Sequence, residues 1–541
     1  VAAVAQSAAA GGGAPAFAGY KDGVWVPSHN RWAIALTVTL ATFMEVLDTS
    51  IANVSLPHIA GDLSVSFDQA TWVLTSYLVA NAIVLPISGW ISSKVGRKRF
   101  YMTSVLLFTI SSFLCGMAPS LGWLVFFRVL QGIGGGGLAP SEQAILADTF
   151  PPAKRGSAMA VYGMAVVMAP AIGPTLGGYI TDNFSWRWVF LINVPVGIIS
   201  LFLSNRMVED PPHLIAATKK VGRLDFTGLI LLVIGLASLE VVLDKGQEED
   251  WFHSHFIIGF TLSAAVGLVS FVLWTLRSKE PIVDLRLYAN KNFAAANLMM
   301  LMLGIALYGT TVLLPQFLQQ IMRWNATTAG MALSPGAAMI ILMMPMIGRN
   351  VGKVDARKMI AFGFTMQAVA LFYMTSHLAT NMDLRTAIIM RCIQCVGLAF
   401  LFVPIQTIVY NGISPAKNNS VAGIVNLSRN MGGDIGIALV TTLIIRRSQA
   451  HQVILSQHAT MWDPAFRARL AGLEAQLTHA GISPPTAHSR ALAMLYAQVQ
   501  QQSTALGYVD TVFVVGIMCA CMVPLVFLMK RNTGGMPQGA H

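Results

Sequence analysis

Glu45, Asp48 and Arg128 are charged side chains set inside long apolar runs, Glu45 and Asp48 in a run near 33–56 and Arg128 in one near 121–147. At the centre of a bilayer such a group costs roughly 2.5 to 3.5 kcal/mol on insertion scales, so each must be paired, hydrated or functional. Glu45 and Asp48 are three residues apart and share a helix face, which must look into the protein. At about 1.5 Å of rise per residue, Asp48 and Arg128 fall at similar depth in the outer half of their spans. Proton exchange is the chemistry this permits. Protonation of Asp48 or Glu45 weakens attraction to Arg128 and biases one helix arrangement over another, and two acids on one buried face favour a proton being held. The alternative is a static ion pair.

Other polar residues within apolar runs extend the candidate list to Asn53, Gln131, Arg391, Gln394, Asn426, Arg429 and Asp434 as a substrate or proton pathway. The spacing of five between Arg429 and Asp434 is poor for a direct pair on one helix. Glu142 and Glu240 lie near the ends of their runs, where interfacial water is expected to reach them. Cys392-x-x-Cys395 has the spacing of a redox or metal motif, and a membrane-embedded thiol oxidoreductase is the alternative from another class. The motif lies mid-run without a nearby His, however, and no metal site or cofactor is expected. Gly132 to Gly137 lacks the Lys-Ser/Thr of a phosphate loop, and no nucleotide motif occurs. The expectation is therefore not an enzyme but a transporter driven by an ion gradient, or a passive channel.

The elements that must position these residues are membrane helices. Of 541 residues 55% are hydrophobic and 11% charged, where soluble chains have roughly a quarter charged. Apolar runs recur near 33–56, 70–92, 100–118, 121–147, 157–180, 187–204, 226–243, 253–276, 294–319, 328–348, 358–377, 386–409, 420–445 and 509–529, each about long enough to span. That predicts an all-α membrane protein of fourteen spans. The net charge of +11 excludes no partner by itself, but the basic residues gather in alternate short loops, as Lys94, Arg97, Lys98 and Arg99, Lys154 and Arg155, or Lys219, Lys220 and Arg223 do. This argues for both termini in the cytoplasm and against nucleic acid. The five cysteines lie in apolar runs and read as small hydrophobes. Residues 1–30 show no secretory signal.

Two halves echo each other: Arg128-x-x-Gln131 returns as Arg391-x-x-Gln394, and Gly89 to Arg97 as Gly348 to Arg357. Such duplication is how alternating access is built. The expected organisation is a flexible cytoplasmic N-terminus at 1–31, a six-helix bundle at 32–204, a linker with two extra spans at 205–292, a second six-helix bundle at 293–529, and a cytoplasmic tail at 530–541. The second bundle includes a periplasmic segment, 446–508. There Phe466, Leu470, Leu473 and Leu477 recur at helical spacing, predicting a helical hairpin outside the membrane.

The chain resembles the major facilitator superfamily, and within it the fourteen-spanner drug:proton antiporters of the EmrB type. The resemblance rests on Leu47-Asp48-Thr49-Ser50-Ile51-Ala52-Asn53-Val54-Ser55-Leu56-Pro57, on Arg128-x-x-Gln131-Gly132, and on Gly173-Pro174-x-x-Gly177-Gly178 preceded by Pro170. Trp186-Arg187-Trp188 with Asn193 and Pro195, and Leu224-Asp225-x-x-Gly228, extend it. It implies Asp48 and Arg128 in proton coupling, the Gly-Pro helix between the halves, and Gly89, Gly96 and Arg97 in a loop gate. Ser93 stands where that loop motif usually has Asp, so its charge pairing is not carried over. The implied activity is proton-coupled export of hydrophobic or amphipathic drugs from a bacterial inner membrane, with an EmrA-like periplasmic adaptor and a TolC-like outer-membrane channel. A specific metabolite such as a fatty acid is the alternative cargo.

Overall fold

The computed structural model describes residues 20–21, 24–25, 27–211, 224–279, 281–351, 353–410, 413 and 417–529. Most of the expected N-terminal segment, the tail at 530–541, and Lys219, Lys220 and Arg223 lie outside them. Among the described residues the chain is helical, apart from the pairing of Tyr20–Lys21 with Val24–Trp25 and a bridge between Val351 and Val354.

The first half comprises α1 (Arg31–Asp62), α2 (Trp72–Val95), α3 (Arg97–Gly116), α4 (Leu121–Gly135), α5 (Leu138–Thr149), α6 (Pro152–Asn183) and α7 (Asn193–Met207). α8 (Phe226–Lys245) and α9 (His255–Arg277) pack on each other. The second half comprises α10 (Lys291–Gln316), α11 (Ala326–Asn350), α12 (Ala356–His377), α13 (Leu384–Ile408) and α14 (Asn418–Ser456), then α15 (Pro464–His479) and α16 (Pro484–Val526).

Among the described residues twelve helices are long and apolar enough to cross a membrane, α4 and α5 acting together as Leu121–Thr149. A thirteenth is α6, whose parts Lys154–Pro170 and Ile172–Asn183 meet at 44°. Pro170 and Pro174 account for the bend, since each removes a backbone donor and crowds the preceding turn. α14 does not meet the same test, because Arg429, Asn430 and Asp434 interrupt its apolar run. It nonetheless packs lengthwise on α10 and α16 where the sequence places a thirteenth span.

Small residues let these helices touch. A Cβ on Gly304 of α10 would stand 2.2 Å from the Arg429 carbonyl, and one on Gly432 of α14 would stand 2.1 Å from that of Leu301. Without a hydrophobic drive between helices in lipid, such backbone contact supplies much of the attraction. Large side chains point outward instead, as Leu262 and Val266 of α9 do.

α14 runs on to Ser456, and α15 folds back on the first turns of α16. Leu470, Leu473, Ala491 and Leu495 form a separate small core there, with Phe466 and Leu477 against it. Asp463 caps α15. The helical spacing in the sequence is that of this hairpin.

Candidate functional site

α1, α2, α4 and α7 converge on one buried ion pair. Arg128 Nη1 donates to Asp48 Oδ2 at 2.6 Å, and both side chains are 0% exposed. Gln131 Nε2 donates to Asp48 Oδ1 at 3.0 Å and Asn193 Nδ2 to the same oxygen at 2.7 Å. Arg128 also donates to the carbonyl of Val73 and to Gln131 Oε1 and lies over the Tyr77 ring at 4.2 Å. These bonds offset part of the cost of burying two charges, while Arg128 Nη2 has no hydrogen-bond partner among the described residues.

Glu45 is on the same helix face but has different partners. Its Oε1 accepts from Tyr77 and from Asn81, each at 3.2 Å, and its Oε2 has no partner among the described residues. From Asn81 the bonds continue across the boundary between halves. Asn430 Nδ2 donates to Asn81 Oδ1 at 3.4 Å, Arg429 donates to Asn430 Oδ1 and, at 2.8 Å, to the Tyr162 hydroxyl. Asn426 Oδ1 accepts from Tyr162 at 3.2 Å and from Gln143 at 3.1 Å. A polar path thus runs from Asp48 and Arg128 through Tyr77 and Glu45 to α14.

The internal echo holds at atomic level. Arg391 Nη1 donates to Gln394 Oε1 at 2.8 Å, matching Arg128 and Gln131. Where Gln131 meets Asp48, Gln394 Nε2 meets the hydroxyl of Thr310 at 2.5 Å. Only the first half therefore carries an acid at this position. Asn53 is exposed and stands apart from the network.

The Gly-Pro run of α6 backs directly onto α1. A Cβ on Gly173 would stand 2.2 Å from Ser50 Oγ, and one on Gly177 3.2 Å from the Ile51 backbone. The other side of α6 meets α11, where Gly156 and Gly348 touch through their backbones. One helix thus contacts both the Asp48 segment and the opposite half. Of the remaining residues of the motif, Pro170 and Gly178 are buried and Pro174 is half-buried.

With this arrangement in view, the likeness to known proteins decides the lineage: the description of the Major Facilitator Superfamily matches residues 38–437. The chain belongs to the major facilitator superfamily. It is 38% identical over 441 residues to the multidrug export protein EmrB of Escherichia coli (strain K12), covering 82% of this chain and 85% of that one. To the fatty acid resistance protein FarB of Neisseria gonorrhoeae it is 36% identical over 511 residues, 94% of this chain and 97% of that one. In structure it is similar to the proton:xylose symporter XylE, with a TM-score of 0.58 and 13% identity over 94% of this chain and 97% of that one, a likeness of fold alone.

In this member of the superfamily the basic residue of the loop after α2 finds its acid on another helix. Gly96 adopts φ +96°, which favours glycine, and so turns the chain into α3. Gly89, at the other end of the motif, is buried in α2. Ser93 bonds its own helix at the Gly89 carbonyl, while Arg97 pairs with Asp148 at the end of α5 and donates to the Ala144 carbonyl. Asp148 in turn accepts from Asn418 of α14 at 3.3 Å, tying the halves at this end. Asp148 is unforeseen because nothing in its spacing from Arg97 reveals the contact.

Two expectations are corrected. Glu142 is not at a watered helix end: it is 0% exposed and accepts from Thr39 at 2.6 Å. Glu240 is 1% exposed and lies against Asp434, so Asp434 belongs with α8 rather than with Arg429. Cys392 and Cys395 are free thiols on α13, and Cys395 is buried against Gly336 of α11. Replacing both with Ser is expected to leave transport within about twofold of the native rate, since a small buried thiol contributes packing and little else. Loss of transport would revive redox chemistry.

Proposed function

We propose that this protein exports hydrophobic or amphipathic compounds, drugs among them, in exchange for protons by alternating access. The observation that supports it most is the fully buried Asp48–Arg128 pair and its polar path into the other half. When Asp48 is ionised it holds Arg128, Gln131 and Asn193 around it. When it takes a proton, its attraction to Arg128 is lost, while Arg128 keeps the Val73 carbonyl, Gln131 and the Tyr77 ring. Packing about the pair can then change, and α6, packed on α1 next to Asp48, transmits the change to α11.

In this reading α6 and α14 complete fourteen spans, both termini are cytoplasmic, and the chain lies in a bacterial inner membrane. The Arg97–Asp148–Asn418 contact is then a cytoplasmic gate. The hairpin of α15 and α16 is periplasmic. By likeness to EmrB, an EmrA-like adaptor and a TolC-like outer-membrane channel would complete the export route. A second cargo, an amphipathic carboxylate such as a fatty acid, is supported by the length of the likeness to FarB and by buried Arg429 beside the central network.

The test is uptake of a fluorescent cationic dye into inside-out vesicles energised by a pH gradient, with a long-chain fatty acid as competitor. The expected result is uphill dye movement that stops when the gradient is collapsed. Movement that ignores the gradient would refute antiport, and competition by the fatty acid would favour the second cargo.

A further inference from the structure

Glu240 has no part in the coupling pair. It is nevertheless 1% exposed in α8, and its Oε2 has no hydrogen-bond partner among the described residues. Its carboxyl lies against that of Asp434, half-buried on α14. Two carboxylates in contact, one of them buried, disfavour being ionised together, because their repulsion adds to the cost of burying the Glu240 charge. A single shared proton changes the sign of the interaction. The protonated acid donates its O–H to the other carboxylate, forming a charge-assisted hydrogen bond. When that proton passes to water, two anions face each other and the contact becomes repulsive.

Among the described residues, the charged groups nearby are bonded to other partners. On α8, Asp244 accepts from Thr75 of α2, and Lys245 donates to Thr71 and, at 2.7 Å, to Glu248. Arg429, on α14, donates to Tyr162 and Asn430. Tyr308 of α10 lies with its ring against Gly433. Tyr77 of α2 is bonded to Glu45, and Glu142 of α5 is bonded by Thr39. α16 brings Asp510, held by Arg447 and His451, and α9 meets α8 through Ser263 and Ser238, its ionisable residues His255 and Arg277 standing at its ends.

The location gives the pair a mechanical consequence. α8 is fastened to the first half through Thr75 of α2 and Thr71 just before it, whereas Asp434 belongs to the second half. Their contact therefore crosses the boundary along which the halves would move.

We propose that Glu240 and Asp434 form a second proton-binding site, separate from Asp48, and that its proton latches α8 to α14. The latch rests on the alternating-access reading for its use in transport, but the site itself does not depend on Asp48. Binding of the proton holds α8 against α14, and its release frees α14 to move away from α8 and α2.

The test places genetically encoded spin labels at the exposed positions Ile234 on α8 and Ile445 on α14, in the full chain in liposomes of phosphatidylethanolamine and phosphatidylglycerol. Distance distributions are recorded from mildly acidic to mildly alkaline pH. The native chain is expected to show a short distance at acidic pH that gives way to a longer one through a single-proton transition. Glu240→Gln and, separately, Asp434→Asn should hold the short distance at every pH, because the amide donates the bond that the proton supplied. Asp48→Asn should leave the transition in place while removing gradient-driven transport. That variant separates the two sites: a missing transition overturns the latch, and retained transport in Asp48→Asn overturns the coupling reading instead. A distance independent of pH in the native chain, or a transition that survives both amide substitutions, would sink the proposal.

Discussion

Asp48→Asn is expected to reduce gradient-driven dye movement to the level of vesicles without the protein, while dye binding and the folded yield stay near native. The amide has the shape of the carboxyl, and its single oxygen can keep either the Arg128 contact made at Oδ2 or the Gln131 and Asn193 contacts made at Oδ1, so packing around the site is retained although one of the two is lost. What it loses is the ability to exchange a proton. Only a group that is charged in one step and neutral in another can link the gradient to a change of conformation. Arg128→Ala should behave differently. It leaves Asp48 as an unpaired buried anion, and breaking such a pair from one side costs about 3 to 5 kcal/mol. The expected loss is of folded protein, read as a lower melting temperature in detergent. Glu45→Gln is the informative intermediate: it keeps bonds to Tyr77 and Asn81 and should slow transport without abolishing it. Undiminished transport by Asp48→Asn would remove Asp48 from coupling and direct attention to Glu45, whose Oε2 is buried without a partner.

The legibility of this site in the sequence followed the size of the energies involved. Asp48 and Arg128 were readable because two charges in apolar runs must find each other, and rise per residue put them at one depth. Gln131 was readable as a polar residue within the same run and from the Arg-x-x-Gln repeat. Asn193 contributes a 2.7 Å bond to Asp48, yet a single neutral amide early in an apolar run carries little signal. Thr310, which takes the place of Asp48 in the second half, was invisible for the same reason. Glu142 and Glu240 were misjudged because distance from the end of an apolar run measures depth along one helix only. α1 covers Glu142 from the side through Thr39, and α2 and α14 pack on α8, which holds Glu240. The fold class was accessible from run length, and the duplication from two Arg-x-x-Gln pairs. The routing of Arg429 to Tyr162 was not, since it depends on how two bundles meet.

That meeting can be tested by blocking it at each end. Gly156 on α6 and Gly348 on α11 are in backbone contact at the end of the molecule that carries Arg97, where a Cβ on Gly156 would stand 2.9 Å from the Gly348 carbonyl. Toward the other end of the same helix pair, a Cβ on Gly330 of α11 would stand 2.7 Å from Thr175 Oγ1. An indole at Gly156 cannot be accommodated by rotamer change, because its obstacle is backbone. Overpacking by far smaller increments already costs about 1 to 3 kcal/mol, so the halves should part at the Arg97 end rather than absorb the ring. Gly156→Trp is accordingly expected to abolish transport and to make a cysteine placed at Ser141, a buried position on α5, reactive to an impermeant thiol reagent from the Arg97 side. Gly330→Trp should abolish transport with reactivity appearing from the opposite side. The pair of results depends on two halves that rock about a shared interface, for in a rigid channel both variants would alter reactivity from both sides alike. If neither substitution changes the side of access, α6 and α11 are a fixed scaffold, and movement must be sought where α14 slides between α2 and α8.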